Sequence, residues 1–226
     1  RVEVLGDKVG LRDRAEIDVS GDHGGGTALV GGDYQGKNAE VRNATFTTLD
    51  THARIAADAK VDGDGGKIIA WSNDTTRASG TLSARGAGAG RGGFIETSGH
   101  NALLVDQIAV DAGSANGLGG TWLLDPSDIN ISAAGGGTAQ GSPPTFTFNP
   151  AGASGTLKDS EINATLNNNT DVVVTTAGGT TGTGNITLAN NVAILYSTGT
   201  ASHSLTLTAS NNITFGTGVS IAGADA

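Results

Sequence analysis

Cysteine and methionine are both absent from this chain of 226 residues. The lack of cysteine excludes disulfide bonds, thiolate chemistry and cysteine-ligated zinc. It also suits a protein that crosses an outer membrane unfolded, although many cytosolic proteins lack cysteine as well. A chain that begins with Arg1 and has no methionine is expected to be a fragment or processed piece of a longer protein, with any signal peptide outside it.

Positive charge is scarce, because 13 Lys and Arg stand against 22 Asp and Glu, giving a net charge of −9. Such a surface repels phosphate backbones and anionic lipids, so we expect no nucleic-acid partner. No apolar stretch approaches the roughly 20 residues of a membrane-spanning helix, so we expect no membrane insertion. Only 4% of residues are aromatic, which predicts a thin core. The abundant Gly, Thr, Asn and Asp suit tight turns between short strands.

Glycine pairs are the most regular feature of the sequence. Gly65-Gly66, Gly92-Gly93 and Gly119-Gly120 recur at an interval of 27 residues, and a short apolar run follows each pair. A constant period of this size is typical of stacked coils rather than of a globular catalytic domain. A coil of this length could hold three short strands and three turns, as in a triangular parallel β-helix.

The two faces of each strand can be assigned from the glycine pairs, because side chains alternate along a strand. The second and fourth residues after each pair should point inward: Ala28, Val30, Ile68, Ala70, Ile95, Thr97, Trp122 and Leu124. The strand before each pair should contribute further inward pairs: Ile17/Val19, Ile55/Ala57, Leu82/Ala84 and Ile108/Val110. The spacing predicts that Ile55, Leu82 and Ile108 align from coil to coil.

The periodicity divides the chain into three parts. Residues 1–131 form glycine-punctuated coils, with an insertion within 34–51 or two shorter coils there. Residues 132–156 are a Gly- and Pro-rich excursion, and residues 157–226 continue the β-helix with Thr- and Asn-rich coils. Asp159-Ser160, with Ile162 and Leu166 four residues apart, predicts a helix of one or two turns capped by Asp159 or Ser160.

Several motifs within about residues 6–131 resemble the filamentous-haemagglutinin-like large exoproteins of Gram-negative bacteria. They are the runs that begin GGGTALVGGD at Gly24, GGFIETSGH at Gly92 and GGTWLLDP at Gly119. The resemblance implies a right-handed parallel β-helix, secretion through a cognate outer-membrane transporter by the two-partner route, and adhesion or biofilm formation through a host-cell or matrix receptor. The Asn-Pro-Asn type motif of the family's secretion domain is missing, so the chain looks like a shaft segment beyond that domain.

The outward positions predict a candidate binding surface. Leu29, Ile69 and Leu123 stand in one column with Glu96, and Phe94 lies beside them, so together they would form an exposed apolar stripe. Soluble monomers rarely leave such a stripe in water. Either residues 143–150 fold back over it, or the stripe binds a partner.

The sequence offers little catalytic or metal-binding chemistry. One acidic turn around Asp62 and Asp64 supplies too few ligands for calcium, and the four histidines lack ligand spacing, so we expect no metal or other cofactor. The alternative to a non-enzymatic shaft is a carbohydrate-active β-helix, which needs a carboxylate pair in a cleft. Asp125 with Asp128, and Asp106 with Asp111, are the candidate pairs.

The pattern Asn-x-Ser/Thr, which is the acceptor sequence for N-glycosylation, occurs at seven positions, so glycosylation is a hypothesis. The candidate sites are Asn43, Asn73, Asn163 and Asn168. Asn185 and Asn212 could instead stack between coils.

Overall fold

The chain forms an all-β parallel β-helix, seen here in a computed structural model that describes residues 1–133, 155–179, 181–196 and 203–223. Every named pair of adjacent strands is parallel, and each coil returns to the same sheets as the coil before it. Because parallel strands need a crossover between them, the rest of each coil serves as the crossover.

The first half of the chain contains ten of the strands: β1 (Val2–Val4), β2 (Lys8–Leu11), β3 (Glu16–Asp18), β4 (Thr27–Val30), β5 (Phe46–Leu49), β6 (Arg54–Ala56), β7 (Lys67–Ser72), β8 (Thr75–Ser83), β9 (Phe94–Gly99) and β10 (Ala102–Asp111). The second half contains the other described elements: β11 (Thr121–Leu124), β12 (Ile129–Ser132), β13 (Gly155–Lys158), helix α1 (Asp159–Asn167), β14 (Asp171–Thr175), β15 (Ile186–Leu188), β16 (Ala193–Tyr196), β17 (Leu205–Thr208), β18 (Ile213–Phe215) and β19 (Ser220–Gly223).

The strands line up on three faces of the helix. The first sheet has the order β1-β4-β7-β9-β11-β14-β17, and the second has the order β18-β15-β12-β13-β10-β8-β5-β2. The third face begins with β3 and β6, continues with the second halves of β8 and β10, and ends with the pair β16 and β19. Helix α1 contacts β10 and β16, so it occupies the place of a strand on this face.

The predicted inward faces are confirmed. Ala28 pairs with Ile68, Ile68 with Ile95, and Ile95 with Trp122, so these side chains stack from coil to coil. All four are fully buried in one continuous core. The inward Thr97 is buried too, and its hydroxyl accepts a hydrogen bond from the Trp122 indole at 3.0 Å, which satisfies both polar groups.

The predicted alignment of Leu82 with Ile108 is wrong by two residues. Leu82 pairs with Val110, and Ile108 pairs with Gly80. The offset between paired residues of β8 and β10 is 27 up to Val105 (105 − 78) and 28 from Ile108 (108 − 80), whereas the predicted alignment used 26. Gln107 lies in this interval with a φ of 54°, as expected of an extra residue in a β-bulge. Ile108 and Val110 still face the core, since a shift of two residues preserves the face.

The sequence interval of 40 residues from Gly26 to Gly66 is one coil with an insertion. It lies mainly between β4 and β5, in residues 31–45. The excursion predicted for 132–156 is narrower, since Ser132 belongs to β12 and Thr156 to β13. β13 lies between β10 and β12, so the chain re-enters the second sheet one position back. Residues 143–150, the predicted cover, lie outside the described residues.

Helix α1 begins where it was predicted, but its cap differs. Lys158 is the N-cap, and its backbone N–H donates to the Glu161 carboxylate at 3.1 Å. The carboxylate of Asp159 instead accepts from the Ala193 N–H at 2.9 Å, which ties the helix to β16. Asp159 is therefore engaged in tertiary packing rather than in capping.

Candidate functional site

The predicted apolar stripe is not an exposed surface. Leu29, Ile69 and Leu123 are buried, and Phe94 is half-buried. Leu29 and Ile69 form a small cluster with Val41 and Trp71 on the outside of the first sheet. The prediction of a binding surface at these residues is corrected accordingly: they point away from the main core, yet they have no free face for a partner.

The cover over this cluster is the insertion between β4 and β5, which we call the strap (residues 33–44). Asp33 begins a short 3-10 turn by accepting a hydrogen bond from the Tyr34 N–H at 2.7 Å, and Ala44 closes the strap by donating to the Gly31 carbonyl at 2.6 Å. Tyr34 packs edge-on against Phe94 with ring centroids 5.8 Å apart. The strap therefore supplies the cover that sequence reasoning assigned to another segment.

Two buried carboxyl groups lie beneath the strap. The backbone N–H of Gln35 donates to both carboxylate oxygens of Glu96 at 3.2 Å, and the Gln35 side-chain amide donates to Asp125 at 2.8 Å. Glu96 and Asp125 are both fully buried. One residue of the strap thus holds two acids from adjacent coils.

The buried setting changes the acidity of these groups. Burial raises the pKa of Glu96 to about 7, the hydrogen bonds from Gln35 and Ser98 oppose the rise, and the nearby Asp125 charge adds to it. Burial also raises the pKa of Asp125 against hydrogen bonds from Gly178 and Gln35. Two neighbouring acids with raised pKa values share this site, so a proton is held there near neutral pH.

Asp33, at the start of the strap, behaves in the opposite way. Burial works to raise its pKa, but hydrogen bonds from Asn38, the Tyr34 N–H and Lys67 outweigh burial and lower the pKa to about 2. Lys67 lies 3.1 Å from this carboxylate and 5.7 Å from the centre of the Tyr34 ring. The strap is therefore anchored at two points. Asp33 stays ionised at neutral pH and pairs with Lys67, whereas Gln35 is bonded to two acids whose pKa values are raised.

Sequence reasoning missed Gln35, Glu96 and Asp125 as a group. Glu96 did stand out as a charged residue in a column with Leu29, Ile69 and Leu123, and that contrast was the available signal. Glu96 and Asp125 are 61 and 90 residues from Gln35 in the sequence, and only the stacking of the coils brings the three residues together.

The members of each carboxylate pair proposed for catalysis have different hydrogen-bond partners. Asp128 accepts hydrogen bonds from Thr183 and Asn185, away from the Gln35 contact of Asp125. Asp106 contacts Lys158, whereas Asp111 accepts from the Gly113 N–H at 2.9 Å. Two acids that share a site are Glu96 and Asp125, and both are fully buried beneath the strap.

The predicted modification sites fall into two groups. The Asn43 side chain donates to the Gly36 carbonyl, and both amide atoms of Asn163 are bonded, to Ala193 and Leu195. Asn73 and Asn168 are exposed. The Asn168 side-chain nitrogen donates to the Val110 carbonyl at 3.3 Å, so Asn73 is the candidate that a modifying enzyme could reach without breaking a hydrogen bond described here.

The histidines and the acidic turn show no metal geometry in the part of the chain that the structure describes. His23 contacts Asp62, and Asp64 accepts from the Arg91 N–H at 2.7 Å. Within the described ranges, no cluster of three or more His, Asp or Glu is placed to hold a metal ion.

No family model matches this chain, and no curated protein matches it either. The search of the described residues for a helix long and apolar enough to cross a membrane found none; α1 has nine residues.

A polar groove of about 630 Å³ follows the third face. Charges of both signs line it: Asp18, Arg54, Asp58, Lys60, Arg85 and Asp111. Asp58 is its buried centre, since its carboxylate accepts from the Ser83 hydroxyl at 3.0 Å, the Arg85 N–H at 2.8 Å and the Arg85 guanidinium at 3.0 Å. The groove is a second outer surface, and it remains open.

Asp58→Asn should destabilise the fold by about 2 kcal/mol, because in either orientation the new NH2 group would face a donor of Arg85, its backbone N–H or its guanidinium. The measurement is the urea midpoint of unfolding by circular dichroism. Asp22→Asn is the matched control, since Asp22 is exposed and should change stability by less than about 0.5 kcal/mol. Equal midpoints for Asp58→Asn and wild type would show that the groove is not organised around Asp58.

Proposed function

We propose that this chain is a shaft segment of a large secreted bacterial surface exoprotein, which acts in adhesion or biofilm formation by projecting and presenting binding surface. The observation that carries the proposal is the continuity of the solenoid. The first sheet passes through seven coils without a break, from β1 to β17. Stacked coils separate the two ends of the solenoid and expose its lateral surfaces. This arrangement suits a spacer better than an enclosed active site.

The sequence motifs support the same function. The glycine-punctuated runs that resemble filamentous-haemagglutinin-like exoproteins contain β4, β9 and β11, which all lie in the first sheet. In this proposal the full-length protein leaves the cell through a cognate outer-membrane transporter and remains at the cell surface. A host-cell or matrix glycan or protein is the receptor.

The outer surfaces offer this receptor two kinds of contact. Tyr34 on the strap is 43% exposed, and the mixed charges of the polar groove lie open on the third face. Aromatic rings and arginine side chains are common at the centres of protein interfaces. The buried Leu29, Ile69 and Leu123 have no part in this contact while the strap is in place.

The proposal is tested with the purified chain on host cells and on a panel of bacterial and host polysaccharides. We expect saturable binding without release of new reducing ends or unsaturated sugars. Arg54→Glu, in the polar groove, should weaken binding to a receptor that uses that face, whereas Arg14→Glu, outside the groove, is the matched control. Turnover of a polysaccharide would overturn the proposal in favour of a carbohydrate-active β-helix.

The genetic context gives an independent test. We expect a gene for an outer-membrane transporter beside the gene for this chain, and its deletion should remove the protein from the cell surface. Surface display that persists in the deletion strain would contradict the secretion route.

A further inference from the structure

The strap is held over the first sheet by a small number of contacts. Its apolar part is Val41 and the ring of Tyr34, which pack against the outer cluster and Phe94. Its polar anchors are the Asp33–Lys67 ion pair and the three hydrogen bonds that Gln35 donates to Glu96 and Asp125. Gln35 is thus the strap residue that contacts the two buried acids, Glu96 and Asp125.

Closing the strap leaves two polar atoms without a partner among the described residues. The indole Nε1 of Trp71 and the side-chain oxygen of Asn43 are buried and make no hydrogen bond with the protein. Both groups would regain hydrogen bonds to water if the strap lifted, since an unmade buried hydrogen bond carries the full desolvation cost. The two unpaired atoms therefore carry a desolvation cost that opposes closure of the strap.

Backbone geometry adds to the cost of closure. Gln35 has a φ of 51°, a left-handed conformation that non-glycine residues seldom adopt. At Gly36, also with positive φ, an added Cβ would lie 2.5 Å from the Trp71 indole nitrogen. Glycine is therefore the residue that fits against the tryptophan ring at this position, and the backbone strain that opening would release is that of Gln35.

The charged groups around Glu96 come from every element packed on it. Lys67 on β7 favours its ionised form, whereas Asp125, which follows β11, disfavours it. Asp125 is itself under the influence of Lys37 on the strap and of His100. Lys67 forms an ion pair with Asp33, so its positive charge stabilises the ionised form of Glu96 less than it would if it were unpaired. An ionised Glu96 is consequently poorly compensated beneath the closed strap.

We propose that the strap is a pH-sensitive latch, which stays closed while Glu96 carries a proton and opens as Glu96 ionises, uncovering Leu29, Ile69 and Trp71. The open strap exposes a contiguous apolar cluster that the closed strap hides. The device goes beyond the proposed shaft function, because it gives one coil two surface states.

The direction of the pH effect follows from linkage. With the strap closed, the pKa of Glu96 is about 7, and in water it returns towards its usual value of 4.5. Between these values the closed form binds a proton that the open form releases, so closure weakens as pH rises through this window. Below the window closure is strongest, and above it no further change is expected from this group.

Hydrogen exchange followed by mass spectrometry tests the latch in the intact chain. After correction for the intrinsic exchange rate, protection of the strap peptide should fall by at least about tenfold between pH 5 and pH 8.5. Protection of the core strand β8 should stay constant over the same range. A strap whose protection does not change with pH would overturn the proposal.

Variants assign the effect to one carboxyl group. Glu96→Gln keeps the side-chain shape and cannot ionise, so strap protection should lose most of its pH dependence and keep only the part that Asp125 contributes. Glu40→Gln is the matched control, because Glu40 is an exposed acid on the strap itself and its loss should leave the pH profile unchanged. Retention of the full pH profile in Glu96→Gln would also overturn the latch. If Glu96→Gln fails to fold, Asp125→Asn decides: removing that neighbouring charge should move the transition to lower pH, and an unmoved transition contradicts the proposal.

Discussion

Ile95→Asp should destabilise the protein by about 4 kcal/mol or more, because it places an unpaired charge in the middle of the core. Ile95 is fully buried between Ile68 and Trp122, its partners in the two neighbouring coils. The carboxylate would have no cation and no water there. The measurement is urea unfolding followed by circular dichroism and tryptophan fluorescence, where we expect a much lower midpoint or no folded baseline.

Leu118→Asp is the control for this substitution. Leu118 lies in the turn before Gly119 with 60% of its surface exposed, so the same chemical change should alter stability by less than about 0.5 kcal/mol. If Ile95→Asp and wild type unfold at the same urea concentration, the assignment of the inward face is reversed.

Gly92→Ala should destabilise the protein by about 3 kcal/mol, although it adds a single methyl group. A Cβ at Gly92 would lie 1.7 Å from the carbonyl oxygen of Ala112 and 2.3 Å from the backbone nitrogen of Gly120. Both atoms belong to the backbone of the next coil, so they cannot move aside as a flexible side chain could. The measurement is again the urea midpoint of unfolding.

Gly6→Ala is the matched control for the glycine turn. A Cβ at Gly6 would meet its nearest atoms at 3.7 Å, which is ordinary van der Waals contact. Its effect should be within about 0.5 kcal/mol of zero. A Gly92→Ala protein as stable as Gly6→Ala would mean that the glycine pairs serve some purpose other than close packing of successive turns.

The glycine pairs show how far the sequence could be interpreted directly. The second glycine of each pair donates its N–H to the end of a third-face segment: Gly26 to Val19, Gly66 to Ala57, Gly93 to Ala84 and Gly120 to Ala112. This repeated hydrogen bond is why one period in the sequence becomes one turn of the solenoid. The spacing therefore predicted both the coil and the stacking of Ile68, Ile95 and Trp122.

The β-bulge and the helix mark where local patterns were insufficient. Leu82 and Ile108 both read as inward residues at a plausible spacing, and only the extra residue near Gln107 sets their true partners. Asp159 is a good capping residue by type, yet β16 takes its carboxylate and Lys158 becomes the cap. In both cases a contact distant in sequence prevailed over a local preference.

The candidate site was the least predictable part. An outward apolar column with one glutamate was visible, but its cover was assigned to residues 143–150, whereas the strap supplies a cover from residues 33–44. The strap sequence does not indicate which surface the strap covers, because its few apolar residues are not regularly spaced. The contact between Gln35 and the acids depends on four coils, those of β4, β7, β9 and β11, being stacked in register.

The sequence by itself determined the period, the two strand faces, the thin aliphatic core and the acidic surface. These follow from alternation along a strand and from glycine turns, which are local properties repeated in every coil. Only the tertiary structure decided what covers the outer face, where the register slips, and that Glu96 and Asp125 share one buried site. Those features arise where an insertion or a bulge interrupts the repeat, and there the outcome depends on which distant surfaces pack together rather than on the pattern within any one coil.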